Sequence, residues 1–284
     1  MHDKTVLITG STSGIGLAAA LELLRMGANV IVHGRSQARC ENALEELRRR
    51  GAAGRRIDYV AADLSSQGNI RELARSVVEK FGKLDVLINN AGAVFMTRSL
   101  SADSIEMTFA TNHLTYFLLT GLLLPLLSAA PSARIINVAS GAHFGNPLDF
   151  DNLELARGYL PLKAYGRSKF ANILFTYALA RRLEGTTVTT NAMHPGFVAT
   201  GMGGNNGSIV KFFARLIMSA GMSPEEGAKT VVYLASSPEV EGISGRYFYL
   251  QKPMRSDSST YDVESQERLW EISEKMTRFP VYAG

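Results

Sequence analysis

The stretch AYGRSKFA at 164–171 sets a phenol, Tyr165, four positions before an ammonium, Lys169. In a helix, side chains four apart share a face, so the two groups can lie together. A free phenol has a pKa near about 10, and a neighbouring positive charge lowers it by favouring the phenolate. That brings the group closer to a proton donor and acceptor at neutral pH. Ser140, at the end of the apolar run RIINVAS, adds a hydroxyl able to hydrogen-bond a substrate oxygen and hold it in line. Tyr-x-x-x-Lys alone is a common surface pair, so its meaning rests on the motifs around it.

A second set suits a dinucleotide. TGSTSGIG at 9–16 follows an apolar run and opens a helical pattern. Gly10, Gly14 and Gly16 allow a tight turn, close approach of backbone to a pyrophosphate and close helix packing, while the helix N-terminus offers N–H groups to the anion. Ser11, Ser13 and Ile15 belong to the same turn and join the candidate cofactor residues. In an NAD-specific site an acid about 20 residues on accepts the ribose hydroxyls. Here VHGR at 32–35 places Gly34 where that carboxylate would sit, with Arg35 beside it. A 2′-phosphate is then not repelled, and Arg35 can bind it as a fork of donors, assisted by Arg39 one turn on. The expected cofactor is NADP(H) in preference to NAD(H). AADL brings Asp63, able to accept from an adenine amino group, and Leu64; NNAG at 89–92 brings Asn90, Ala91 and Gly92.

These residues need elements to place them. Apolar, β-branched runs recur at 5–9, 29–33, 56–62, 84–90, 134–140, 187–194 and 245–250, several continuously apolar as in strands buried on both faces. Helix-like segments lie between them at 16–26, 38–50, 69–81 and 165–183. This rhythm predicts an α/β fold: a doubly wound Rossmann-type parallel sheet of about seven strands with helices on both faces, in a single domain. The catalytic domain is expected over 1–250, followed by a tail at 251–284 whose amphipathic stretch, 261–279, packs on its own domain or on a partner subunit. In such sheets ligands bind outside the carboxyl ends of the strands, where all the motifs above fall.

Composition narrows the setting. The 284 residues are 46% hydrophobic and 20% charged, enough apolar surface for a substantial core. A net charge of +4 without one long basic block does not imply nucleic acid. The single cysteine, Cys40, cannot form an intramolecular disulfide and makes no metal site, which fits a reducing compartment. The N-terminal apolar run is too short for a signal peptide, and no stretch is expected to reach the roughly 20 apolar residues of a spanning helix. The expectation is a cytoplasmic protein.

TGSTSGIG, NNAG, Asn112 within TNHL, Ser140 and YGRSK, in that order, resemble the short-chain dehydrogenase/reductase family over nearly the whole chain. The resemblance implies that Tyr165 is the general acid/base, Lys169 binds the ribose and tunes the phenol, Ser140 positions the carbonyl, and Asn112 holds a water in a proton relay. It implies further that HPG, with Pro195 and Gly196, and then Val198 and Thr200, lie along the nicotinamide side. TNHLTYFLLT, the long interval from Ser140 to Tyr165, HPGFVAT and ERLWEIS are most similar to the retinol dehydrogenase-like branch. Members often act on retinoids and other lipophilic alcohols, aldehydes and ketones. The N-terminal membrane anchor of many animal members is not expected here, and with it retinoid metabolism at a membrane is not the leading expectation.

A substrate lid is expected at about 201–222. Within it Ile209, Phe212, Phe213, Leu216, Ile217 and Ala220 form an apolar stripe, with Lys211 and Arg215 opposite. A lid, plain core packing and a shallow membrane-surface contact all stay open for this helix. His143 and Phe144 could border the pocket, the histidine reading as a solvated loop residue. The leading function is therefore an NADP-preferring oxidoreductase for a small apolar alcohol, aldehyde or ketone, with a homodimer and peripheral membrane contact left open. Its rival is a nucleotide-binding regulatory or scaffold protein that kept the fold without turnover.

Overall fold

Alternation along the strands sorts the sheet's two faces. Val6 and Ile8 point to one side with Val30, Val32, Val86 and Ile88, while Leu7 points to the other with Ile31 and Leu87. Both sides are buried, so both faces must be covered by helices. The computed structural model describes residues 1–52, 54, 56–196 and 222–280.

Eight strands form one sheet: β1 (Thr5–Ile8), β2 (Asn29–Gly34), β3 (Ile57–Ala61), β4 (Val86–Asn89), β5 (Ala133–Val138), β6 (Val188–Met193), β7 (Tyr247–Tyr249) and β8 (Lys252–Met254). Their order is β3-β2-β1-β4-β5-β6-β7-β8. The first seven run parallel and β8 returns antiparallel. The expected count of about seven missed β8. Its hairpin turns through Leu250 and Gln251, both at positive φ, a geometry usually flagged by Asn-Gly or Asp-Gly and here carried by residues that give no such signal.

The main helices are α1 (Gly14–Arg25), α2 (Gln37–Leu47), α3 (Gln67–Phe81), α4 (Met107–Ser128), α5 (Pro161–Arg182), α6 (Pro224–Ser236) and α7 (Val263–Thr277). One face of the sheet carries α1, α2 and α6 through Leu21, Leu24, Leu44, Val231 and Leu234. The other carries α3, α4 and α5 through Leu73, Val77, Phe117, Leu123, Phe175 and Leu179. At 22 residues α4 is long and apolar enough to cross a membrane, contrary to the expectation that no stretch would be. Most of its apolar surface is already buried against the sheet and neighbouring helices.

The tail helix α7 packs on its own domain. Trp270 is buried against Phe175 and Phe117, at ring separations of 5.8 and 5.1 Å, and the Arg182 guanidinium lies 3.9 Å from its ring centroid. Arg181 and Arg182 both pair with Glu267 on the same helix. Trp270→Ala is expected to lower the stability of the whole domain by about 3–5 kcal/mol, read as a fall in the urea midpoint. An unchanged midpoint would mean the tail folds apart from the core.

Candidate active site

The chemistry-bearing residues meet where β5 ends and α5 begins its second turn. Ser140 stands two residues beyond β5 and caps a short turn, its hydroxyl accepting from the Ala142 N–H at 3.2 Å. That hydroxyl also hydrogen-bonds the Tyr165 phenol. One turn along α5, Lys169 is buried; its Nζ donates to the Val138 carbonyl at 2.9 Å and lies 5.7 Å from the Tyr165 ring centroid and 5.3 Å from that of Tyr116. Tyr116 donates to the same carbonyl at 3.3 Å. A Cβ on Gly92 would stand 3.1 Å from Nζ, so the NNAG turn reaches the ammonium because it ends in glycine.

Burial sets the electrostatics. It lowers Lys169 to about 7 and raises the Tyr165 phenol above its ordinary value, with the Ser140 hydrogen bond acting the other way. The lowering of the phenol by Lys169 expected from the spacing is therefore not seen here. At the pH where this phenol would ionise, the lysine has already lost its proton and has no charge to offer.

Asn112 lies in a widened turn of α4, at Ala110–Leu114. Its side chain donates to the Ala93 carbonyl at 2.9 Å and to Ser168 Oγ at 3.0 Å, and accepts from the Ala93 N–H at 2.9 Å. Its backbone carbonyl accepts from Asn172 at 3.0 Å. The side chain thereby fixes the loop beside Gly92. Ser168, inside YGRSK but given no role by sequence, completes the link by donating to the Tyr165 carbonyl at 2.7 Å.

The cradle forms at the carboxyl ends of β1, β2 and β4. A Cβ on Gly10 would lie 2.9 Å from Ala91 Cα; one on Gly16 would lie 2.6 Å from the Gly10 carbonyl and 2.7 Å from Asn90 Nδ2. Gly10 and Gly14 take positive φ. Asn90 Nδ2 donates to the carbonyls of Thr9 and Gly10, and Thr9 Oγ1 accepts from the N–H groups of Asn90 and Ala91. Ser13 is extended, exposed and makes no side-chain cap, while Ile15 packs into the core behind the turn. Ser11 is placed differently: its hydroxyl donates to the Ile8 carbonyl and accepts from the His33 N–H, and its own N–H donates to the His33 carbonyl, so it builds the turn from within. The buried His33 accepts from the Gly10 N–H at 3.0 Å, leaving Nε2–H to donate to the Ala62 carbonyl at 3.2 Å.

At the rim Arg35 and Arg39 are exposed and in no ion pair among the described residues. Asp63 is exposed and accepts from the Ser65 N–H, and Leu64 is buried with its carbonyl accepting from Thr115. A Cβ on Gly34 would lie 2.5 Å from Thr12 Cγ2 and 3.0 Å from Cys40 Sγ, so an acid there has no room. Pro195 and Gly196 follow β6, with Gly196 donating to His194 Nδ1 and the His194 ring beside Gly141 in the serine turn. Val198, Thr200, the 209–220 helix and all of the lid segment except Met222 lie outside the described residues. A dinucleotide fits what is present: a side-chain-free cradle that any Cβ would fill, an uncapped helix N-terminus and a buried lysine at the strand edge.

A doubly wound sheet with this cradle and a serine, tyrosine and lysine at its carboxyl edge defines a nicotinamide-dependent oxidoreductase. The short chain dehydrogenase family model matches residues 4–209. Retinol dehydrogenase 14 of Homo sapiens is 44% identical, covering 97% of this chain and 87% of the relative. Polyprenol dehydrogenase of Homo sapiens is 36% identical over 97% and 85%. A Beutenbergia cavernae protein, solved with bound NADP at low occupancy, superposes with a TM-score of 0.71 at 26% identity, covering 88% of this chain and 96% of that one. The chain belongs to the short-chain dehydrogenase/reductase family, in its retinol dehydrogenase-like branch, and is an oxidoreductase acting on CH–OH or C=O groups.

Sequence gave no role to Thr9, His33 or Ser168, although each sits inside or beside a quoted motif. Burial lowers His33 and His113 to about 4 from an ordinary value near 6.5. A folded-state pKa below the unfolded one means the unfolded chain binds more protons between those two values. Stability should therefore fall as pH drops from about 6.5 towards 4, by at most about 1.4 kcal/mol per pH unit for each imidazole. Chemical denaturation across that range should show the slope, and His113→Asn should flatten it; a level profile would contradict the assignment.

Proposed function

We propose that the protein is an NADP-preferring oxidoreductase for a lipophilic alcohol or carbonyl substrate, with Tyr165 as general acid/base. The observation that carries this reading is the Ser140–Tyr165 hydrogen bond above a buried lysine. The bound nicotinamide would supply or accept the hydride at the substrate carbon. Ser140 donates to the substrate oxygen, and Tyr165 gives it a proton in reduction or takes one in oxidation. Lys169, by donating to the ribose, keeps its charge once cofactor acceptors face it, and that charge then lowers the phenol. Asn112 holds Ala93, and with it Gly92, against this group.

The crowding at Gly34 and an exposed Arg35, in no ion pair among the described residues, support the 2′-phosphate. Apolar side chains near the catalytic pair support a lipophilic substrate: Phe144 follows the serine turn, and Leu160 and Leu162 lead into the turn of α5 that bears Tyr165. Relatives named for retinol and polyprenol point the same way.

Turnover assayed against retinal, aliphatic aldehydes, steroid ketones and quinones should fall about 10²–10⁴-fold in Tyr165→Phe, with cofactor binding retained. Equal turnover would remove the assigned mechanism. Arg35→Ala should weaken NADPH binding roughly tenfold to a hundredfold while leaving NADH nearly unchanged. Equal weakening of both would dismiss the phosphate contact.

A further inference from the structure

The serine turn is held from behind by a side chain outside the reacting set. His143 is fully buried, contrary to the solvated loop residue expected from sequence, and lies between Ser140 and the C-terminal segment. Its Nδ1 is 2.7 Å from the Ser140 carbonyl, which can only accept, so Nδ1 carries the proton. Its Nε2 accepts from the Asp257 N–H at 3.1 Å. Only the neutral Nδ1–H tautomer satisfies both partners, because an imidazolium would set one N–H against another.

The far end of this link is itself anchored. Asp257 Oδ2 accepts from the Gly145 N–H at 3.0 Å, closing a second clasp on the same loop. Ser256 Oγ is 2.7 Å from the Tyr177 hydroxyl, three turns along α5 from Tyr165, and 2.7 Å from Thr260 Oγ1. The Tyr247 ring packs edge-on against the imidazole at 5.1 Å. Tail, serine turn and tyrosine helix are thus joined around one ring.

We propose that His143 is a positioning residue for the reaction, fixing the Ser140 backbone to the Ser256–Asp257 segment so that the serine hydroxyl is presented to Tyr165 and the substrate oxygen. This rests on the Ser140–Tyr165 reading above. A reacting group displaced by about 1 Å can cost roughly a hundredfold in rate. His143 therefore acts on kcat through Ser140 and leaves cofactor affinity alone.

His143→Ala should lower kcat roughly tenfold to a hundredfold with the NADPH Kd within about twofold of the parent. His143→Asn, whose amide keeps a donor near the Nδ1 position but no longer reaches the Asp257 N–H, should recover part of the loss. In a Ser140→Ala background the same His143→Ala change should cost little more, since its route to the chemistry is already gone. Parent-like kcat in His143→Ala, no difference between the alanine and asparagine variants, or full additivity with Ser140→Ala would each overturn the proposal. If His143→Ala does not fold, Asp257→Pro and Asp257→Ala decide. Both lose the carboxylate, but only proline also removes the N–H given to Nε2, and the φ of −53° at this position suits it. A lower kcat in the proline variant is expected; equal values would overturn the inference. Full turnover in Ser140→Ala alone would instead sink the underlying catalytic reading, and this proposal with it.

Discussion

A lysine side chain taken out of water constrains the rest of this site. Among the described residues, Lys169 Nζ has one protein carbonyl, that of Val138, and two aromatic rings around it, which is thin support for a buried ammonium. Burial accordingly lowers its pKa to about 7. The surrounding structure exists to hold the group there. β5 must end at Val138 to offer the carbonyl, α4 must bring the Tyr116 ring, and NNAG must close on a glycine so that the loop can reach Nζ. On the proposed reading, the hydroxyls of a bound cofactor would supply the acceptors that this pocket leaves few. On that reading, the same buried lysine would both recognise the cofactor and change the neighbouring phenol.

The cradle answers a different demand, that backbone approach backbone at the sheet's edge. Gly10, Gly16 and Ala91 stand too close for larger side chains, and Asn90 and Thr9 convert that proximity into hydrogen bonds between the ends of β1 and β4. The glycine turn is thereby fixed before any ligand arrives, so little ordering remains to oppose binding. Gly34 extends the same logic to β2: close packing of Thr12 and Cys40 leaves the rim to Arg35.

Motif and period made much of this legible. Seven strands follow from apolar runs, and the groups that meet at the edge, Ser140, Tyr165 and Lys169, follow from strand-end position and helical spacing. What stayed hidden depends on three-dimensional partners that spacing cannot report. Ser11 reads like any residue of a phosphate loop, yet its hydroxyl and its N–H are both turned inward. His143 reads as loop surface because the segment that buries it, at Ser256 and Asp257, lies more than a hundred positions away. β8 was missed because its turn uses Leu250 and Gln251. The upward direction of the Tyr165 shift was also out of reach, since it depends on how deeply the phenol is buried.

Three of the five histidines share one physical solution. A neutral imidazole offers one donor and one acceptor on opposite sides of a rigid ring, and can join two backbone segments without burying a charge. His33 joins the Gly10 turn to β3, and His143 joins Ser140 to the tail. His113, beside Asn112, reaches Ser273 on α7 at 2.9 Å and Asn172 on α5 at 3.3 Å, and a fourth, His194, takes the Gly196 N–H while stacked on Tyr249. Each stands next to a segment that must be held at the sheet's carboxyl edge, and two of them bind those segments to the C-terminal region. A lysine or carboxylate in any of these places would need a counter-charge, and an apolar ring would leave the polar partner groups without this bond. These histidines are therefore neutral struts of the site, in keeping with the proton-transfer role proposed for the phenol.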